Sequence, residues 1–399
     1  MGTMDEHARI AECQPGQPPR SAVERGSPSR HPVTPLLGNP DRRHLIAGIA
    51  AGIAAPAIGA ARPIPRAEWR QLSTDPYPGK QDDIAFVSPT TGWYGNGKGK
   101  VYGTTDGGDS WTLLWERPGT FVRSLGFIDE QRGFLGNVGT NYYPGVSDPH
   151  PLYLTTDGGR SWSPVAAPGI EDVAGICGID ILPVRRLFQG GTRTAHVVHA
   201  AGRVGGPARV MRSEDDGESW RVIDLSPLAG MILDVKFHTP AVGFVAAAAP
   251  SGSGDGEARI LRTLDGGRNW AAVYRSGRPK ENVWKMSWPS ARVGYGTVQS
   301  YDDTAGNVRR VVVKSSDGGA TWRELPLDSG KGIQEFGIGF ADERHGWIGA
   351  RDHGYETLDG GRSWSPASLG QAVNKIRIVR GGGVTRAFAI GRNVYRANL

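Results

Sequence analysis

Thr104-Thr105-Asp106-Gly107-Gly108-Asp109-Ser110-Trp111 is the stretch whose reading decides the fold, because it returns five times along the chain. The later copies run from Thr155 to Trp162, Ser213 to Trp220, Thr263 to Trp270, Ser315 to Trp322 and Thr357 to Trp364. Each fits Ser/Thr-x-Asp-x-Gly-x-x-Trp, and a recurrence every 50 residues or so, roughly, marks a repeat architecture. The aspartates (Asp106, Asp157, Asp215, Asp265, Asp317 and Asp359) are short and charged, so each can accept hydrogen bonds from the N–H groups of its own turn. The Gly two residues later supplies the positive φ of a tight hairpin. The leading hydroxyl offers a second local bond. The tryptophans (Trp111, Trp162, Trp220, Trp270, Trp322 and Trp364) anchor an outgoing strand by burying a large apolar face. These aspartates therefore read as turn staples, since one metal or catalytic site does not need six equivalent copies around a ring.

A second pattern sits upstream of most boxes: an aromatic, five residues, then Gly-aromatic. It pairs Phe86 with Gly92-Trp93, Phe127 with Gly133-Phe134, Phe237 with Gly243-Phe244, Trp288 with Gly294-Tyr295 and Phe340 with Gly346-Trp347. Short polar turns such as Ser88-Pro89-Thr90-Thr91 and Asp129-Glu130-Gln131-Arg132 join the two apolar strands. The third copy is degenerate, with Ile181 and then Leu187-Phe188 near Gly190. A third strand leads into each box, as at Leu152-Tyr153-Leu154, and a fourth begins at the box Trp. Four strands per unit make the blade of a propeller. Six units carry boxes. A seventh, from Ile376 to Arg396, supplies three strands and then the chain ends. Trp69 to Leu72 resembles a strand following a box Trp, but has no box before it. Pairing it with the last unit would close the ring and remove an exposed edge. The prediction is all-β: a seven-bladed β-propeller of four-stranded antiparallel blades over residues 69–399, closed by an N-terminal strand completing the last blade. Six blades with loose ends is the runner-up.

These boxes resemble the Asp-box, or bacterial-neuraminidase, repeat, which lies between the third and fourth strands of a propeller blade. With seven blades and the Phe…Gly-Trp strand pair, residues 69–399 look most like the photosystem II assembly/stability-factor family. That resemblance implies an exported or lumenal protein without catalytic activity, which binds a newly made membrane-protein subunit through basic residues on one face. The alternative it leaves open is a secreted glycoside hydrolase, sialidase-like or xyloglucanase-like, or a lyase, because the same box frames such enzymes.

Residues 1–40 are rich in Pro, Arg and Ser without apolar periodicity and read as a disordered leader. In residues 41–61, Arg42-Arg43 precedes a weakly apolar Gly/Ala run. It reads as a twin-arginine-type signal peptide, with an ordinary Sec signal or an uncleaved anchor as alternatives. The mature protein is therefore expected to be periplasmic or extracellular, or lumenal in a photosynthetic host. The net charge of +6 at pH 7 over 399 residues is mild and lacks the dense basic cluster of a nucleic-acid binder. Cys13 and Cys177 are the two cysteines, so a chain without its leader carries one thiol and no internal disulfide.

No nucleotide-binding, HExxH or CxxC motif is present. His196 and His199 lie at odd spacing on a strand and so face opposite ways. No metal, cofactor or catalytic residue is expected. Binding candidates are the charges at the starts of inner strands, near the mouth of the central funnel: Lys80, Asp82, Arg123, Asp234, Lys236, Lys285, Glu335 and Lys375. Arg185 and Arg186 add a basic pair at a strand turn. Together they suggest a somewhat basic rim able to steer a protein or peptide partner, with the propeller itself a monomer.

Overall fold

The computed structural model describes residues 65–79, 81–188, 191–251, 256–301, 311–327 and 335–399. The leader, both of its proposed segments and Lys80 lie outside the described residues. The strands form seven four-stranded antiparallel sheets. Their innermost strands are Gln81–Phe86, Val122–Phe127, Gly178–Phe188, Met231–Phe237, Glu281–Ser287, Glu335–Phe340 and Lys375–Gly381, in sheets 1 to 7. Each of these packs against the inner strand of the next sheet, and that of sheet 7 packs against that of sheet 1. The sheets therefore close into a ring, a seven-bladed propeller.

Closure is made by the N-terminal strand Arg70–Gln71. It pairs with Val394–Asn398, matching Arg70 to Arg396 and Gln71 to Tyr395, and Leu72 N–H donates to the Val394 carbonyl at 2.8 Å. Leu72 is buried among Ile84, Tyr94, Phe388 and Ile390, at the seam between sheets 7 and 1.

Four of the seams share one construction. The aromatic on the second strand of a sheet lies flat on the inner-strand aromatic of the next. Trp93 stacks on Phe127 at 3.6 Å, Tyr295 on Phe340 at 3.7 Å and Phe388 on Phe86 at 3.8 Å between centroids. The box Trp of the second sheet then meets the stack edge-on, as Trp162 does against Phe127 and Trp364 against Phe340. Such pairs contribute about 0.5–1.5 kcal/mol each beyond their buried area. Trp69 takes this edge-on place against Trp347 at 5.6 Å, so the orphan strand reproduces the box Trp without a box.

Sheet 3 departs from the sequence reading. Its second strand is not at Leu187-Phe188; the first two strands run on as a long hairpin, Gly178–Phe188 with Gly191–Gly202. Ser213 of the box pairs with Val198, which pairs with Ile181. Val198-His199 therefore holds the Gly-aromatic place, and the His199 ring stacks on Phe237 at 3.6 Å. An imidazole is flat enough to serve as the seam aromatic. Burial, with the Arg212 charge beside it, holds the His199 ring well below its ordinary pKa and so neutral.

The boxes are built alike. In the second copy the Thr155 hydroxyl donates to Asp157 Oδ1 at 2.8 Å and accepts from the buried Gly159 N–H at 2.9 Å. Asp157 also accepts from the N–H groups of Arg160 and Ser161 and from the Ser161 hydroxyl at 2.6 Å. The last contact explains why Ser, Thr or Asn precedes every box Trp: Ser110, Ser219, Asn269, Thr321 and Ser363 make the same bond. Gly159 has φ +89°, which a side chain would strain. Burial pushes the Asp157 carboxyl up, but the hydroxyl and N–H donors outweigh it and hold it at about 2; the equivalent donors hold Asp317 at about 2.

Two outcomes follow from this construction. Asp157→Ala should cost about 1–2 kcal/mol of stability, the loss of several local hydrogen bonds at a half-exposed turn, read from the denaturant midpoint. A depressed carboxylate stabilises fully above its unfolded value, about pH 4. The gap between variant and parent should therefore be widest near neutrality and narrow as pH falls toward 2. A chain starting at Ser73 should melt lower and scatter light, because the edge of Val394–Asn398 is then unpaired.

Candidate functional site

Antiparallel order sorts the connections by face. Turns between strands one and two gather with the boxes on one end of the ring, the box face. Loops between strands two and three, and between sheets, gather at the other end, the insert face, where the inner strands begin.

Inner-strand side chains fill the channel in two rows. Three residues before the seam aromatic stand Asp83, Asp234 and Lys285 in sheets 1, 4 and 5; Lys375 holds that place in sheet 7, where Ile378 takes the aromatic's register. One residue before it stand Asp180, Lys236, Ser287 and Arg377. Each acceptor clamps the next sheet. Asp83 Oδ2 takes the Leu125 N–H at 2.8 Å, and Asp234 Oδ2 takes the Met286 N–H at 2.9 Å. Asp180 Oδ2 takes the Phe237 N–H at 2.9 Å, and the Ser287 hydroxyl takes that of Phe340 at 3.0 Å. An inner-strand N–H thereby finds a partner that no ladder supplies.

The candidates are drawn together in this interior. Asp82, Arg123, Lys285 and Lys375 are no more than 3% exposed, which sets them inside the channel rather than on a rim. Asp82 pairs with Arg123, and Asn374 donates to the Asp82 carbonyl at 2.8 Å. The Arg123 guanidinium crosses the ring to lie 5.5 Å from the Trp284 ring centre. Lys375 pairs with Asp83 and reaches the Arg123 carbonyl at 3.3 Å. Arg377 approaches Asp83 at 3.3 Å. Lys285 donates to the Leu233 carbonyl and lies 3.8 Å from Asp234. Lys236 binds Asp180 at 2.6 Å, with its side chain 42% exposed. Glu335 opens the inner strand of sheet 6. Arg185 and Arg186 are elsewhere, on the sheet 3 hairpin. Sequence reading missed Asp83, Asp180, Arg377 and Asn374. The signal was available in the register: counted back from the seam position, Asp83, Asp180 and Arg377 fall in these two rows, and Asn374 falls at the register of Asp82 and Arg123.

Burial pushes the Asp83 carboxyl up, yet Lys375, Arg377 and the Leu125 N–H outweigh it and hold it below the ordinary carboxylate range. Burial pulls the Lys375 ammonium down to about 7, against the Asp83 charge that draws it back up. This core is a salt-bridged plug. Among the described residues, no group of three His, Cys, Asp or Glu is placed to hold a metal ion.

Above the plug, on the insert face, lies an aromatic ledge. Phe121 stacks on Tyr143 at 4.8 Å, Tyr143 meets Tyr142 edge-on at 4.7 Å, and Arg203 lies 5.7 Å over the Tyr142 ring. A Cβ at Gly97 would fall 2.6 Å from the Phe121 ring and 2.8 Å from the Tyr77 hydroxyl, so Tyr77 extends the same row. These rings are half-buried. Arg123 is near enough to Tyr143 to couple with it, which sets the ledge beside the plug.

Fold and site define a class: a seven-bladed propeller with stapled turns, whose channel is closed by its own paired charges. Among solved structures the chain is similar to YCF48 bound to a D1 peptide, at 16% identity and TM-score 0.54, covering 87% of this chain and 99% of that one. It is similar to YCF48 from Cyanidioschyzon merolae at 18% identity and TM-score 0.54, covering 83% and 98%. It is also similar to the GH74 xyloglucanase from Xanthomonas campestris, at 15% identity and TM-score 0.56, covering 83% of this chain and 53% of that one. At these identities the likeness is one of fold. No protein-family model matches the chain, and no curated protein matches it in sequence.

Removing one partner of a buried pair leaves an uncompensated charge. Lys375→Met should cost about 3 kcal/mol, measured by denaturant unfolding. Asp83→Asn with Lys375→Met should cost less than the sum of the single changes, because both charges then leave together.

Proposed function

We propose that this protein is a non-enzymatic scaffold that works outside the cytoplasm and holds an extended protein or peptide segment, such as part of a membrane protein in assembly, across its insert face. The observation that carries the reading is the plug. With Arg123, Lys375 and Asp83 paired across the channel, a ligand lies over the mouth rather than through it. What the mouth offers is the Tyr77–Phe121–Tyr143–Tyr142 ledge with Arg203 at its end. Flat, half-buried rings beside a guanidinium suit a chain of mixed side chains at low entropic cost. A D1 peptide bound by one of the similar propellers agrees with this use of the fold.

The hydrolase alternative asks for a carboxylic acid whose pKa is raised, opposite a second free carboxylate. The channel carboxylates are instead engaged by cations and N–H groups: Asp83 by Lys375 and Arg377, Asp180 by Lys236, and Asp234 by Lys285 and the Met286 N–H.

A photo-crosslinking side chain at Tyr142 should capture a discrete exported or membrane-protein partner. That partner should accumulate less in a deletion strain, and Tyr143→Ala with Arg203→Ala should abolish capture while the chain stays folded at the assay temperature. Capture unchanged by those substitutions would refute the reading, as would turnover of xyloglucan or a sialoside. Recovery of the protein solely in the cytosol would refute the location.

A further inference from the structure

On the opposite face the sheet 3 hairpin runs past the box as a two-stranded arm. Its pairing continues without a slip from Ile181–Val198 to Phe188–Gly191. Sheet 7 carries this strand pair a little past the seam position, to Gly381–Val384, and the remaining sheets end it there, so the longer arm is an addition to the repeat; it carries Arg185, Arg186 and Leu187, the last 83% exposed. Arg186 stands directly opposite Arg193, a like-charged cross-strand pair that disfavours the ribbon unless negative charge lies nearby. Glu214 answers Arg186 from 3.8 Å, and Arg212 also binds that carboxylate, at 3.0 Å.

The arm is held out deliberately. In five boxes the residue after the staple Asp is Gly at positive φ; in the third it is Asp216, at φ +59°. A non-glycine residue there is strained, and this one has a use. Its carboxylate accepts the His196 N–H at 2.7 Å and meets His196 Nδ1 at 2.8 Å, while its own N–H donates to the His196 carbonyl at 3.2 Å. Arg132 Nε binds the Asp216 carbonyl at 2.7 Å. Asp216 thus latches the outer strand of the arm and caps its edge.

The latch also fixes which backbone groups of the inner strand point outward. His196 turns its N–H and C=O away from its partner Pro183, so Pro183, Arg185 and Leu187 turn theirs to the other side. Pro183 has no N–H to give. Among the described residues no hydrogen bond reaches the outward backbone of Arg185 or Leu187. The arm therefore presents a short open edge with Arg185 on one face of the strand and Arg186 on the other.

We propose that this edge is a second docking site, which takes an extended acidic peptide segment as an added strand. Backbone bonds to Arg185 and Leu187 set the register, and carboxylates on both sides of the added strand meet Arg185 and Arg186. A second copy of this chain is disfavoured as the occupant, since edge-to-edge pairing of two arms would oppose arginine to arginine. The site is on the other face from the ledge, so its failure and that of the proposed function are separate.

The test uses the full chain and fluorescent peptides with Glu at alternate positions. Lys at those positions makes one control; Pro interspersed at the same charge makes a second. The Glu peptide should bind, the Lys peptide should not, and the Pro-interspersed peptide should bind at least about tenfold more weakly, having lost its N–H donors. Arg185→Glu with Arg186→Glu should also weaken binding about tenfold or more, with melting unchanged because both side chains lie outside the core. Asp216→Gly, which restores the ordinary box residue, should keep the fold and weaken binding by freeing the arm. Equal binding of the Glu and Pro-interspersed peptides would overturn strand addition. So would indifference to charge reversal, a dimer in light scattering that the double variant abolishes, or binding to anionic vesicles with none to the Glu peptide.

Discussion

The seam between neighbouring sheets is the contact on which everything else rests. A four-stranded blade has two faces and cannot bury both alone; it does so against its neighbour, at four seams by laying a flat ring on the ring of the next blade. The stack is geometrically permissive, which is why Trp93, His199, Tyr295 and Phe388 can all hold the same place. Permissiveness has a consequence: stacking alone would let blades slide or splay. Register needs directional partners, and the box and the channel rows provide them at opposite ends of each strand.

The channel rows do this at a cost. Desolvating Asp83, Lys375, Arg123 and Asp82 together is expensive, and an apolar core of the same shape would be as stable or more so. Charges nevertheless discriminate between neighbours as methyl groups do not. Asp83 joins sheet 1 to Leu125 of sheet 2 and to Lys375 and Arg377 of sheet 7, across the seam where the first inner strand of the chain meets the last. The densest set of buried pairs therefore sits where the ring must find its own tail. That placement favours a role in specifying closure over a role in raising stability.

The sequence made the ring readable because turn chemistry is local. Asp157, its donors Thr155 and Ser161, and Gly159 lie within seven residues of one another, so the motif survives without knowledge of the fold, and counting strands then forced the Trp69 segment into the last blade. The plug was half readable. Charges at inner-strand starts could be named, but whether Lys375 faces water or Asp83 depends on residues almost a whole chain apart. Sheet 3 was misread for a related reason. Leu187-Phe188 beside Gly190 has the local look of a strand start, whereas Val198-His199 holds that place only because pairing with Ser213 puts it there.

Asp216 shows how a repeat is bent to a separate use. Five boxes keep glycine where the backbone turns left-handed, and the sixth accepts strain there in return for a carboxylate aimed at His196. Nothing in the box requires it: Asp215 makes the usual contacts with Ser213 and Ser219 without its neighbour's help. The compensation lies outside the box, in a strand extension that no other box-bearing blade carries. A local rule broken beside an added element, with the new side chain bonded to that element, points to the element as the reason for the change. The arm is thus supported by the scaffold at its root and left open at its edge, the arrangement of a part that is held for a partner rather than packed for stability.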